Sequence, residues 1–351
     1  MKPDRSSPYD IFLQALSHKQ PAAVPVAIWY TRSALGLKGG AEKLLDYYQN
    51  PEIKLATQQY PLDAFPEALV IPGIYPDYGV ALEASAFGCP IRFFDNSPPR
   101  PLPILQDIKE ISRVKKIDPG QDGLMPQALK EYDYLLTHLD KKYTDRFPYL
   151  DGCAWLMGPL EVAGFILGHE KLFISFYDHP DLVRQLLTIV TEGLIAWLRR
   201  LESVAGELKL ISLVEHTPGQ ISAAHSEEFF FPFCSEIFRQ FPKAIRLYHN
   251  EDNLRHILPK LPSLGAHIWH FGPWDVKEIK ETVGKDLVIM GNIHPIKVLL
   301  QGTPEDVEEA CRLPLLIGAP GGGFILSSGG GLAPDTPIEN VQAMIRAARK
   351  A

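Results

Sequence analysis

Residues 208–216 read Leu-Lys-Leu-Ile-Ser-Leu-Val-Glu-His, a short apolar run that ends on residues able to bind a cation, and the design returns at 244–252 as Ala-Ile-Arg-Leu-Tyr-His-Asn-Glu-Asp. Runs of the same kind lie at 152–157, 267–270, 287–290 and 324–326. Segments of helical period separate them, near 160–177, 181–203, 227–240, 252–260, 275–283, 304–312 and 338–349. Apolar strands alternating with amphipathic helices are the pattern of βα units around a parallel sheet. Upstream, 24–30 is apolar almost throughout, as a strand covered on both faces would be, and 64–71 is a second such run. The total is eight, the number that closes an α/β TIM (β/α)8 barrel.

The whole chain, 1–351, is read as this one domain. Its additions are an N-terminal helix opening at Ser7-Pro8-Tyr9-Asp10 and a loop-rich excursion over 73–125, whose prolines and short β pieces offer too few apolar residues for a core of their own. With 46% hydrophobic residues the chain has material for a large core. A formal charge of −7 and no long basic run exclude the electrostatic footprint of a nucleic-acid partner or an anionic membrane. No uncharged apolar stretch reaches the length of a membrane span, and the N-terminus is polar, so a soluble, cytoplasmic protein is expected. Cys89, Cys153, Cys234 and Cys311 are scattered without a CxxC pair, which suits buried thiols in a reducing compartment.

In a TIM barrel the chemistry gathers where the strands end, so the residues after each run carry the information. Glu215 and His216 follow one run, and His249, Asn250, Glu251 and Asp252 another. His270, then Asn292, then Ser327 and Ser328 close the remaining three. Glu215, His249 and Glu251, with Glu228 at the start of the next helix, are of the types that hold zinc with one position open. The same residues also fit a structural role. Glu215 and His249 pair as a buried hydrogen bond, Glu251 and Asp252 charge the first turn of a helix, and Glu228 belongs to a Ser226-Glu227-Glu228 cap. Trp29, Tyr30, Tyr75 and Tyr78 fall near the ends of the first two runs and form either a wall for a flat substrate or ordinary aromatic packing. The glycines of 318–323 precede a strand and lack Gly-Lys-Ser/Thr, which rejects a P-loop, and no Gly-x-Ser-x-Gly elbow supports a serine hydrolase.

The succession Gly291-Asn292-Ile293-His294-Pro295, Gly302-Thr303-Pro304-Glu305-Asp306-Val307, Gly321-Gly322-Gly323-Phe324-Ile325-Leu326-Ser327 and Thr336-Pro337-Ile338-Glu339-Asn340-Val341 resembles the uroporphyrinogen decarboxylase superfamily. Met157-Gly158-Pro159-Leu160 and Asp178-His179-Pro180-Asp181-Leu182-Val183 extend the resemblance over most of 150–351. The family implies a TIM barrel and contains both decarboxylases and corrinoid-linked methyltransferases. Where the decarboxylases place a histidine, a tyrosine and an aspartate, this chain has Gly330, Phe165 and the Pro72-Gly73 turn. Of their arginine pair only Arg32 has a counterpart. Decarboxylation of a tetrapyrrole is not expected.

In the thiol-methylating members the resemblance implies a zinc held by His-x-Cys and by a cysteine after the last strand. Here those positions read His249-Asn250-Glu251 and Gly330, so both thiolates are missing. A harder, more Lewis-acidic site prefers oxygen. The expectation is an O-demethylase-type methyltransferase, moving methyl from an oxygen-linked donor, such as a methoxylated aromatic, to Co(I) of a corrinoid (cobalamin) on a partner protein. Its expected zinc ligands are Glu228 and His249, with Glu215 or Glu251 as the third. His249 follows Glu228 at the interval of the branch's metal motif, whereas Glu215 precedes Glu228 two residues too closely. Trp29, Tyr30, Tyr75 and Tyr78 would wall the ring, and Asn250 or Asn292 would orient it. The alternatives are transfer from methyl-corrinoid to a thiol or other acceptor, and a silent barrel that binds a corrinoid or tetrapyrrole.

Overall fold

A computed structural model describes residues 7–30 and 35–350, so Arg32 lies outside the described residues. Among the described residues ten strands are formed: β1 (Ala27–Trp29), β2 (Leu69–Ile71), β3 (Ile91–Arg92), β4 (Arg100–Pro101), β5 (Cys153–Met157), β6 (Leu210–Val214), β7 (Ile245–His249), β8 (Ile268–His270), β9 (Val288–Ile293) and β10 (Phe324–Ser328). β5 to β10 pair in chain order as one parallel sheet, and β1 pairs with β2 in parallel. A parallel bridge from Val26 to Leu326 joins the two sets. Eight parallel strands therefore run in the order β2, β1, β10, β9, β8, β7, β6, β5. No ladder links β2 to β5 among the described residues, but Tyr149, four residues before β5, reaches β2 through its hydroxyl, donating to the Val70 carbonyl at 2.9 Å and accepting from its N–H at 3.1 Å. This is the TIM-barrel architecture, with β3 and β4 as a two-residue antiparallel pair in the excursion.

The eight parallel strands are buried along most of their length because helices cover their outer face. Pro180–Ala205 shows how: Val183, Leu186, Leu187, Val190, Leu194, Trp197, Leu198 and Leu201 recur at helical spacing and are buried, and the helix stops at Gly206. Each such side chain contributes about 1.5–3 kcal/mol by leaving water. No described helix is long and apolar enough to cross a membrane.

Three expectations are corrected. No α-helix starts at 252; Pro259 and Pro262 allow only a 3-10 segment, Leu258–Leu264, so Glu251 and Asp252 do not charge a helix end. The helix expected over 227–240 is two helices, Ala223–Phe229 and Phe231–Gln240, with Pro232 in the first turn of the second. The strands also run further toward their C-terminal ends than the apolar runs imply. His249, Asn292, Ser327 and Ser328 are strand residues, and the ladder fixes their side chains.

Candidate metal centre

The parallel register of the central strands aligns Val214 with His249 and His249 with His270. Polar residues that are distant in sequence thus share one edge of the barrel mouth. His216, two residues past β6, His249 at the end of β7, and Glu251 two residues beyond it each offer a ligand atom, all within 4.8 Å of one another. Glu251 Oε2 is 2.8 Å from His249 Nε2 and 3.0 Å from His216 Nε2. The turn carrying Glu251 is braced: Asn250 Oδ1 accepts from Asp252 N–H at 2.7 Å, and Asn250 Nδ2 donates to the Glu215 carbonyl at 2.8 Å. The indole N–H groups of Trp269 and Trp274 donate to the carbonyls of Asn250 and Glu251. His216 is held by Glu161, whose Oε1 accepts from the His216 and Thr217 amides, both at 3.1 Å.

The donors and acceptors around these rings decide whether a metal fits. His270 Nε2 is 2.8 Å from the Ser328 carbonyl, which only accepts, so that nitrogen carries the proton. Burial, and next the neighbouring His249, push the His270 pKa down to about 3, so its Nδ1 bears a lone pair. His249 Nδ1, 2.8 Å away, must donate to it. Burial also lowers the His249 pKa, which leaves the neutral ring with a lone pair at Nε2. That lone pair faces the Glu251 carboxylate. Burial opposes ionisation of Glu251, but its carboxyl is held far below the usual range, first by the hydrogen bond with His216. Two acceptors 2.8 Å apart require an electrophile between them, either a proton or a metal cation. Two imidazoles and a carboxylate are a donor set for zinc, and a ligand histidine normally donates its second ring N–H outward, as His249 does. Trp29 covers this edge, stacked on His249 at 4.3 Å between centroids and tilted against His270 at 4.7 Å.

The other expected residues are dispersed. Glu228 is not brought to the group; on its outer helix it is ion-paired with Arg184 and its side chain is 41% exposed. Glu215 is fully buried, its Oε2 accepting from Leu160 N–H at 2.8 Å at the start of the helix Pro159–Leu167. Gly158 makes this possible, since a Cβ there would come within 2.4 Å of that oxygen. Burial, then the charge of Glu161, raise the Glu215 pKa well above the usual carboxylate range. Only backbone joins Glu215 to His249, so the two do not form the expected side-chain pair. Tyr78 donates to Glu131 at 2.5 Å, and the buried Lys54 pairs with that same carboxylate, so its ring belongs to a structural network. Tyr75 meets Trp155 at 5.9 Å. Tyr30 lines a small cavity with Tyr47, Gln58 and Asp77, and its hydroxyl has no partner there. Asn250 is spent on the turn. Asn292 donates to the Trp274 carbonyl and keeps Oδ1 without a partner.

The sequence reading missed His216, Glu161 and His270 as parts of the site. His216 and His270 stood directly at run ends, the signal used for Glu215 and His249. Glu161 lies inside a helix start and carried no such mark. Gly330 completes the picture, since a Cβ built on it would be 3.7 Å from Glu251 Oε1. Position 330 therefore borders the group, and a side chain of two or three atoms would reach it.

The family model described as uroporphyrinogen decarboxylase (URO-D) matches residues 7–351. A methylcobamide:CoM methyltransferase of Methanosarcina mazei is 26% identical over 306 residues, covering 84% of this chain and 83% of that protein. A uroporphyrinogen decarboxylase of Methylobacillus flagellatus is 22% identical over 363 residues, covering 96% of each. A solved methyltransferase structure from Methanosarcina mazei superposes with a TM-score of 0.78 at 19% identity, covering 98% of both chains.

Proposed function

Because the chain belongs to the uroporphyrinogen decarboxylase family, which its match over residues 7–351 establishes, we propose that it is a corrinoid-dependent methyltransferase of that family, with zinc held by His216, His249 and Glu251. The observation that carries this reading is the convergence of those three side chains within 4.8 Å, with the His249 lone pair turned on a carboxylate. The ligand set replaces the one expected from sequence: His216 takes the place of Glu228, and Glu251 is the third ligand in preference to Glu215.

Zinc bound there supplies Lewis acidity toward a donor oxygen, offsetting the negative charge that develops as the O–CH3 bond breaks. The donor is an oxygen-linked methyl compound, with a methoxylated aromatic the favoured class. Its methyl group passes to Co(I) of a corrinoid on a partner protein, leaving the donor as an alkoxide or phenolate. Trp29 lies flat against the ligand ring of His249, and Asn292 Oδ1 is a buried acceptor left without a partner. Glu161 keeps His216 facing Glu251. Absence of the two family thiolates favours oxygen over sulfur.

The test is metal content and methyl transfer from an aryl methyl ether to cob(I)alamin. His216→Ala should lose stoichiometric zinc and at least about 100-fold in rate, while Glu228→Ala should keep both. Retention of zinc by His216→Ala rejects the assigned ligands. The relatives named for methylcobamide and CoM favour a second reading, transfer from methyl-corrinoid to a thiol. Methylcobalamin consumed with a thiol, and no turnover of the ether, decides for it.

A further inference from the structure

Between the ends of β7, β8 and β10 lies a buried chain of three groups: the Ser328 carbonyl, the His270 ring and the His249 ring, with both contacts at 2.8 Å. His270 has no exposed surface. Its two nitrogens meet one partner each, an obligate acceptor on one side and His249 on the other. The β7–β8 ladder, in which His249 and His270 are register partners, holds the rings at this spacing, and Trp29 presses against both. An imidazole that donates at Nε2 accepts at Nδ1, so the direction of the chain is set by the carbonyl at its far end.

We propose that His270 is a positioning residue for the metal centre: anchored on the Ser328 carbonyl, it fixes His249 in the Nδ1–H tautomer and orients its ring so that the Nε2 lone pair points at Glu251. His270 touches neither the metal nor the substrate. The usual outward partner of a ligand histidine is a carboxylate or a carbonyl. Here a second histidine, itself polarised by a carbonyl, fills that place. Its effect is to favour a divalent cation at the His249–Glu251 contact, because the cation needs the lone pair that this tautomer presents. The inference rests on the proposed zinc site for its consequence but not for its geometry.

Two measurements test it. Long-range proton–nitrogen NMR of protein labelled with 15N-histidine should show His249 protonated at Nδ1 in both metal-free and zinc-loaded protein. An unprotonated His249 Nδ1 in either state overturns the relay. In competition with a chromogenic chelator, His270→Phe should bind zinc about 10–100-fold more weakly than the parent. His270→Asn, which retains an acceptor toward His249 Nδ1, should recover most of that loss. A folded His270→Phe protein with parental zinc affinity, or an Asn variant no better than Phe, overturns the proposal. If the Phe variant fails to fold, the NMR assignment on the parent decides alone. If the parent takes up no zinc, the metal reading fails, and the metal-free tautomer still tests the relay.

Discussion

β7 and β8 carry a histidine contact at each end, and the two contacts have opposite electrical character. At the mouth, His249 and His270 lead from a carbonyl to a carboxylate, so the chain of groups ends with a surplus of lone pairs. At the opposite end, His267 faces donors: the Arg246 amide lies 3.1 Å from Nδ1 and the Arg246 guanidinium 2.9 Å from Nε2. A surplus of acceptors away from water calls for a cation, whereas a surplus of donors beside solvent is met by water. The same two strands thus carry a contact that backs a candidate metal centre at one end and an ordinary structural contact at the other. Residue types alone do not separate the two ends; the partner that terminates each chain does.

The sharpest way to break this contrast is to remove one histidine from each end. His249→Ala should abolish stoichiometric zinc binding and cut methyl transfer by at least about 100-fold. His267→Ala should leave zinc content within experimental error of the parent. Metal analysis of the two purified proteins is the measurement, and equal loss in both would remove the distinction.

A smaller effect comes from giving the mouth back a thiolate. Gly330→Cys places a sulfur beside Glu251, since its Cβ would be 3.7 Å from Oε1 with no closer neighbour. Zinc affinity should rise roughly tenfold, because a soft anionic ligand joins two imidazoles and a carboxylate. Turnover of an oxygen-linked donor should fall as the open position fills. Gly330 has φ +117°, so the variant should also lose about 1–3 kcal/mol of stability, read in a denaturant titration. Unchanged zinc affinity in a folded Gly330→Cys protein would show that position 330 does not face the centre.

The barrel was legible from the run at 208–216 and its successors because each strand is short, apolar and followed by a helical period. That pattern survives even where boundaries shift, as at Asn292 and Ser328, whose polarity hid their place in the ladders. Two of the three ligands were legible too. His249 and Glu251 are two residues apart on one strand end, so local geometry alone brings them together. Glu215 and His216 close the same run, and residue type alone does not say which of them faces the mouth, since histidine and glutamate both bind zinc. Which of two adjacent residues turns inward depends on Gly158, which lets Glu215 pack under the helix at Pro159. Glu228 was preferred for its interval to His249, but sequence intervals do not register the break at Phe230 or the pull of Arg184. Both are tertiary facts.

The least expected change lies at the end that does no chemistry, and its sign is fixed by titration. Burial, then the charge of Arg246, push the His267 pKa down from 6.5 to about 4. Below pH 6.5 the unfolded chain takes up a proton at this residue while the folded protein does not. The contribution is therefore present above pH 6.5 and is lost as the pH falls toward 4. His267 is only half-buried, so solvent screening holds the loss to about 1 kcal/mol. Parallel denaturant titrations of the parent and His267→Gln from pH 7.5 to 4.5 measure it. The stability difference between the two should move toward the Gln variant by that amount on acidification. Curves that stay parallel across the range would mean that Arg246 does not hold His267 neutral, and the donor-rich description of this end would have to be abandoned.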